Sequence, residues 1–114
     1  MKPLLLLAVL AGGCAKKEEA APPAASTDDI IMPAAEMTRA RDACADYIKK
    51  VCACTKPEAV EECKLAKLIP DAIDVAREVS VNPESERDTV LRSNHLIRQN
   101  VKSCIQKSAA LTGC

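Results

Sequence analysis

Arg39-Ala40-Arg41-Asp42-Ala43-Cys44-Ala45-Asp46-Tyr47-Ile48-Lys49-Lys50-Val51-Cys52-Ala53-Cys54 reads as an amphipathic helix. Ala40, Ala43, Cys44, Tyr47, Ile48 and Val51 recur at three- and four-residue steps, which places them on one apolar stripe. Arg39, Arg41, Asp42, Asp46, Lys49 and Lys50 fall on the other faces. The spacing predicts a first helix over about Pro33 to Ala53, with Pro33 suited to a first turn.

Downstream, the same period recurs between helix-starting signals. Thr55 and Glu58 have capping-box spacing around Pro57. Val60, Cys63, Leu65, Leu68 and Ile69 form the apolar set of a second helix. Pro70 either kinks that helix or opens a separate piece through Val79, with Ile73, Val75, Ala76 and Val79 continuing its apolar surface. Asn82-Pro83 signals a further helix start, followed by Glu84 and Glu86 at the positive end of the dipole. Val90, Leu91, Ile97, Val101, Cys104, Ile105 and Leu111 supply its stripe, and Gly113 marks the stop. Strand alternation occurs nowhere. The fold class expected is all-α: a small disulfide-stapled up-down-up bundle of three helices, or four if Pro70 separates two, after a disordered tether.

Composition narrows the function classes. The 114 residues carry 16 basic and 16 acidic side chains, so there is no basic field to attract nucleic acid. Tyr47 is the only aromatic residue, which removes base stacking and aromatic cages. The core must be built from Leu, Ile, Val, Ala and cystine, and a core that thin calls for covalent staples.

The N-terminus reads as a targeting segment. Lys2 is a positive n-region and Leu4 to Leu10 an apolar h-region. Seven apolar residues span only about 10 Å of helix, against about 30 Å of bilayer core. Leu10-Ala11-Gly12-Gly13-Cys14 then closes the segment with small residues and a cysteine. This stretch resembles the lipobox of bacterial lipoprotein signals. The resemblance implies cleavage before Cys14, a diacylglyceryl group on its sulfur and acylation (a palmitate or similar chain) of the new N-terminus. Two or more chains anchor stably where one does not. Ala15 follows the cysteine, not Asp, so the resemblance implies an outer-membrane protein facing the periplasm. The domains expected are a signal peptide over 1–13, a lipidated, disordered tether over 14–32 and a Cys-rich helical domain over 33–114. Within the tether, Ile30-Ile31-Met32 reads as a plug against the domain or as a strip for a partner.

Setting Cys14 aside leaves Cys44, Cys52, Cys54, Cys63, Cys104 and Cys114, an even set that reads as three disulfides in an oxidising compartment. Levelling residues along an up-down-up bundle favours Cys44–Cys63, Cys52–Cys104 and Cys54–Cys114. Cys52–Cys63 with Cys44–Cys104 is a close rival. Cys52-Ala53-Cys54 also has the spacing of a redox or soft-metal thiol pair, weighed here against structural cystine.

Cys44-x9-Cys54 and Cys104-x9-Cys114 resemble the twin C-x9-C proteins of the mitochondrial intermembrane space, which form a bridged antiparallel hairpin. Forty-nine intervening residues and two extra cysteines point to convergent spacing set by helix geometry. Cys-Ala-Cys at the end of a charged helix is also similar to segments of small Cys-rich lipoproteins from gliding and predatory Gram-negative bacteria. His95 is the only histidine, so neither a zinc site nor a nucleophile–base pair is expected. Glu58, Glu61 and Glu62 are explained by the helix dipole.

The expectation is a non-enzymatic envelope lipoprotein without a metal or cofactor. Its membrane contact is acyl chains on Cys14, and its partner an envelope protein or component. Two alternatives stay open: a small-ligand or lipid carrier, and thiol-redox or soft-metal chemistry at Cys52 and Cys54.

Overall fold

The computed structural model describes residues 26–114. Cys14, the lipobox and the signal segment lie outside the described residues. A 3-10 turn at Asp28–Ile30 leads into four α-helices: α1 (Ala34–Ala53), α2 (Pro57–Ala66), α3 (Ile69–Val81) and α4 (Arg87–Ala110). Helices α2 and α3 run in series antiparallel to α1, and α4 returns parallel to α1. Contacts fix these directions: Tyr47 meets Glu62, Arg41 meets Asp74, and Glu36 meets Arg98. The architecture is therefore an all-α, disulfide-stapled bundle, up-down-up with the descending limb broken once.

Each break has a local cause. Pro57 drives Lys56 into extended backbone (φ −68°, ψ 142°), so Lys56 becomes the N-cap and α2 starts at the proline. Thr55 then lies outside the helix, and no side chain caps this end; the expected capping box does not form. Pro70 has no N–H to continue a helix from Ala66. The chain turns at Lys67 and Leu68, and α3 begins with Pro70 in its first turn.

The third connection departs from expectation. Pro83 does not start α4. Asn82 Oδ1 accepts from the Glu84 N–H at 2.8 Å, and the Ser85 hydroxyl donates to the Val79 carbonyl at 2.6 Å. These bonds close a turn over the end of α3, and α4 begins at Arg87 instead.

The core is narrow. Met37, Ala40, Cys44, Tyr47 and Val51 form the buried face of α1. Ala59, Ala66, Ile73 and Ser80 continue a buried seam down α2 and α3 at seven-residue steps, across the Pro70 break, joined by Ala76. Small residues on that seam let the helices approach closely. A seam is thinner than a stripe, so Val60, Leu65, Leu68, Val75, Leu91 and Ile105, expected on apolar faces, lie substantially exposed.

The domain also begins earlier than residue 33. Met32 is 1 % exposed and among the largest fully buried side chains. The Arg77 guanidinium donates to its carbonyl at 2.9 Å, and Asn94 Nδ2 donates to the Ile30 carbonyl at 2.6 Å. Arg87 grips Asp29 through two hydrogen bonds at 3.0 and 2.9 Å. Residues 28–32 are thus a strap on α3 and α4 and not the end of a tether: of the two readings of Ile30-Ile31-Met32, the strap acts as a plug.

Candidate functional site

Two of the three disulfides lie towards the pole where α1 and α4 end and α2 begins, and the third joins the middle of α1 to α4. Cys44 pairs with Cys104, Cys52 with Cys63 and Cys54 with Cys114. Cys54–Cys114 is as expected. Cys44–Cys63 and Cys52–Cys104 are corrected, and the rival pairing is the one found.

Register explains the correction. Helices α1 and α4 are parallel, and Cys44–Cys104 and Cys54–Cys114 both join residues 60 apart, so a single register serves both bonds. Cys52–Cys104 would demand a second register in the same helix pair. Facing adds to this. Cys44 belongs to the buried stripe of α1, whereas Cys52 lies one step past Val51 on the exposed flank that meets α2. The late start of α4 also sets Cys104 back by about four residues, roughly 6 Å along the axis. Both C-x9-C segments are bridged to one another, but in parallel and not as an antiparallel hairpin.

Leu111 and Gly113 turn the chain after α4. Gly113 has φ of 74°, a left-handed conformation that brings Cys114 back towards Cys54. A Cβ there would stand 3.1 Å from Lys56 Nζ, which itself donates to the Thr112 carbonyl at 2.9 Å.

Between α1, α2 and this carboxy-terminal turn lies an open cleft of about 350 Å³. Val51, Ala59, Leu111 and the Cys54–Cys114 cystine give it apolar walls. Tyr47 donates its hydroxyl proton to Glu62 Oε2 at 3.3 Å, and Lys107 Nζ stands 3.5 Å from the same oxygen. Burial pushes the Tyr47 hydroxyl above its ordinary pKa, and the Glu62 carboxylate adds to that shift. The phenol is therefore held neutral, as a donor. This group of three ties α1, α2 and α4 together beside the cleft. Its members come from separate helices, so no local spacing announced it.

The remaining candidates are dispersed. Glu61 pairs with Lys64 on the surface, while Glu58 and Glu62 line the cleft. His95 is exposed. Cys52 and Cys54 are oxidised with different partners, so the thiol pair that redox or soft-metal chemistry requires is not formed. Among the described residues no group of three or more His, Cys, Asp or Glu side chains converges to hold a metal ion, and no helix is long and apolar enough to cross a membrane. No family model matches the chain, and the searches of curated proteins and of solved structures found no match.

Proposed function

We propose that this is a non-enzymatic envelope lipoprotein, anchored by acyl chains on Cys14, that presents a rigid helical domain to a protein or envelope partner. The observation that carries this reading is the complete pairing of six cysteines within the domain. It leaves Cys14 as the one cysteine outside the three disulfides, at the end of a lipobox-like stretch. Three cystines also fit an exported, oxidising setting. An outer-membrane position facing the periplasm follows from Ala15 after the cysteine.

The cavities support a binding surface more than a carrier. The cleft beside Tyr47 is open to solvent, and the centre of the bundle is filled by Met32, Val51, Ile73 and Ile97.

Metabolic labelling with a radioactive fatty acid tests the anchor. Label is expected on the wild-type protein and absent from Cys14→Ser. Label retained in Cys14→Ser removes the reading.

A further inference from the structure

The three disulfides differ in their surroundings. Cys44 and Cys104 are both buried, and Cys54 is buried opposite Cys114. Cys52 is exposed and Cys63 half-buried, so theirs is the one pair of the three without a buried member. The pair borders a hollow of about 250 Å³ whose lining includes Lys64 and Lys67.

Those lysines bear on thiol chemistry. Both cysteines sit in the last turn of a helix, Cys52 in α1 and Cys63 in α2, where free carbonyls disfavour a thiolate. Lys67 offsets this for Cys63. Its N–H donates to the Cys63 carbonyl at 3.1 Å, so the two residues stand one turn apart on the same face. Lys64 is held by Glu61 at 3.0 Å, whereas among the described residues Lys67 forms no ion pair. The hollow thus offers an exposed sulfur to an incoming thiolate and a cation to the sulfur that leaves.

The bond also fastens a weak element. Helix α2 has ten residues, too few to hold its shape alone. Besides the cystine, the Tyr47–Glu62 hydrogen bond ties it to α1, and Glu62 directly precedes Cys63. Ala59 and Glu62 are the α2 wall of the cleft beside Tyr47.

We propose that Cys52–Cys63 is a redox latch, opened by a dithiol reductant, that releases the α2 wall of this cleft. The pair concerned is Cys52 with Cys63, not Cys52 with Cys54. One thiolate of the reductant bonds to Cys52 Sγ as the Cys52–Cys63 bond breaks, and Cys63 leaves as a thiolate beside Lys67. The second thiolate then attacks the first reductant sulfur and expels Cys52. Two electrons pass to the cystine, the reductant departs as a disulfide, and the two protons that it gave to water are taken up by Cys52 and Cys63. The latch goes beyond the partner-binding reading and does not depend on the lipid anchor.

The test treats the mature protein at low salt with an anionic thiol, mercaptoethanesulfonate, or a cationic one, cysteamine. Each rate is divided by that of the same thiolate with a neutral open-chain disulfide. Acid quenching, alkylation and peptide mapping read each bond separately. Cys52–Cys63 should open first, with the added thiol on Cys52 and the alkyl group on Cys63. The anionic thiol should be favoured about fivefold, the weight of one unit charge at close range in water. Lys67→Glu should reverse that preference, and Lys102→Glu on α4 should not. After selective opening and alkylation, hydrogen exchange over residues 57–66 should quicken about tenfold, with α4 changing less. Equal relative rates for the two thiols, a preference untouched by Lys67→Glu, Cys54–Cys114 opening as fast, or unchanged exchange in α2 would each overturn the proposal.

Discussion

Cys44 is joined to Cys104 across two parallel helices, 60 positions apart in the chain, and Cys54 stands the same 60 from Cys114. Cys52–Cys63 closes only 11. The two long bonds link the ends of the fold to its beginning, while the short one fastens a single turn.

Loop closure therefore ranks the disulfides. Replacing Cys44 and Cys104 by serine should cost about 4 kcal/mol, against about 3 kcal/mol for Cys52 and Cys63. The serines left in the core at positions 44 and 104 widen the gap. Urea unfolding of the two double variants measures both losses; equal midpoints would contradict the ranking.

Access sets a different order for reduction. Cys44 and Cys104 are almost fully buried, whereas Cys52 is exposed. A limiting thiol reductant should open Cys52–Cys63 before Cys44–Cys104. Alkylation and peptide mapping over time read this order directly.

The strap over α3 and α4 should be held by its polar contacts. Asn94 accepts from the Ser80 hydroxyl at 3.0 Å and donates to the Ile30 carbonyl. Asn94→Ala leaves the buried Ser80 hydroxyl and the half-buried Ile30 carbonyl without this partner, at a cost of about 1–3 kcal/mol for a group left without water. Hydrogen exchange in residues 28–32 should quicken, with α1 changing less.

Acid should loosen the same region. The Arg87 guanidinium holds Asp29 below the usual carboxylate range, and Arg98 does the same for Glu36. A lowered folded pKa contributes stability that is present above the unfolded value, near pH 4, and lost as pH falls through the folded value. Unfolding midpoints measured from pH 6 to pH 2 should fall in that window, and less in Asp29→Asn with Glu36→Gln. Both pairs are solvent-exposed, so added salt should shrink the difference.

At the alkaline end the sign reverses. Tyr47 has a raised pKa, so its contribution is present below pH about 10 and lost as pH rises through the folded value. Phenolate absorbance reports this group alone, because the chain has no other aromatic residue. The titration should lie above that of the unfolded chain, and Glu62→Gln should bring it down.

Helix existence and class were legible in the sequence because the α1 stripe and the prolines act locally. Pro70 marked an interruption without deciding between a kink and a separate helix, and the bond from Cys54 to Cys114 followed from levelling residues along an up-down-up bundle. Faces were harder. Leu65, Leu68 and Val75 have the chemistry of core residues, yet the seam at Ala59, Ala66 and Ile73 takes the buried place because it packs closer. Met32 looked like the last of a tether because nothing local reveals Arg77 and Asn94 waiting on other helices. The equal spacing of the two C-x9-C segments did hold the correct register. The up-down-up order already made α1 and α4 parallel, but levelling residues from a helix start at Asn82-Pro83 instead of Arg87 set Cys104 too high and hid the common offset of 60. The Tyr47–Glu62–Lys107 group left no trace at all, since its members meet only through tertiary packing.

Mass analysis of the natively exported protein, without reduction and after protease digestion, tests the account most directly. The account predicts an N-terminal peptide beginning at lipid-modified Cys14, together with linked peptides Cys44–Cys104, Cys52–Cys63 and Cys54–Cys114. An unmodified Cys14, or free thiols at Cys52 and Cys54, would contradict it.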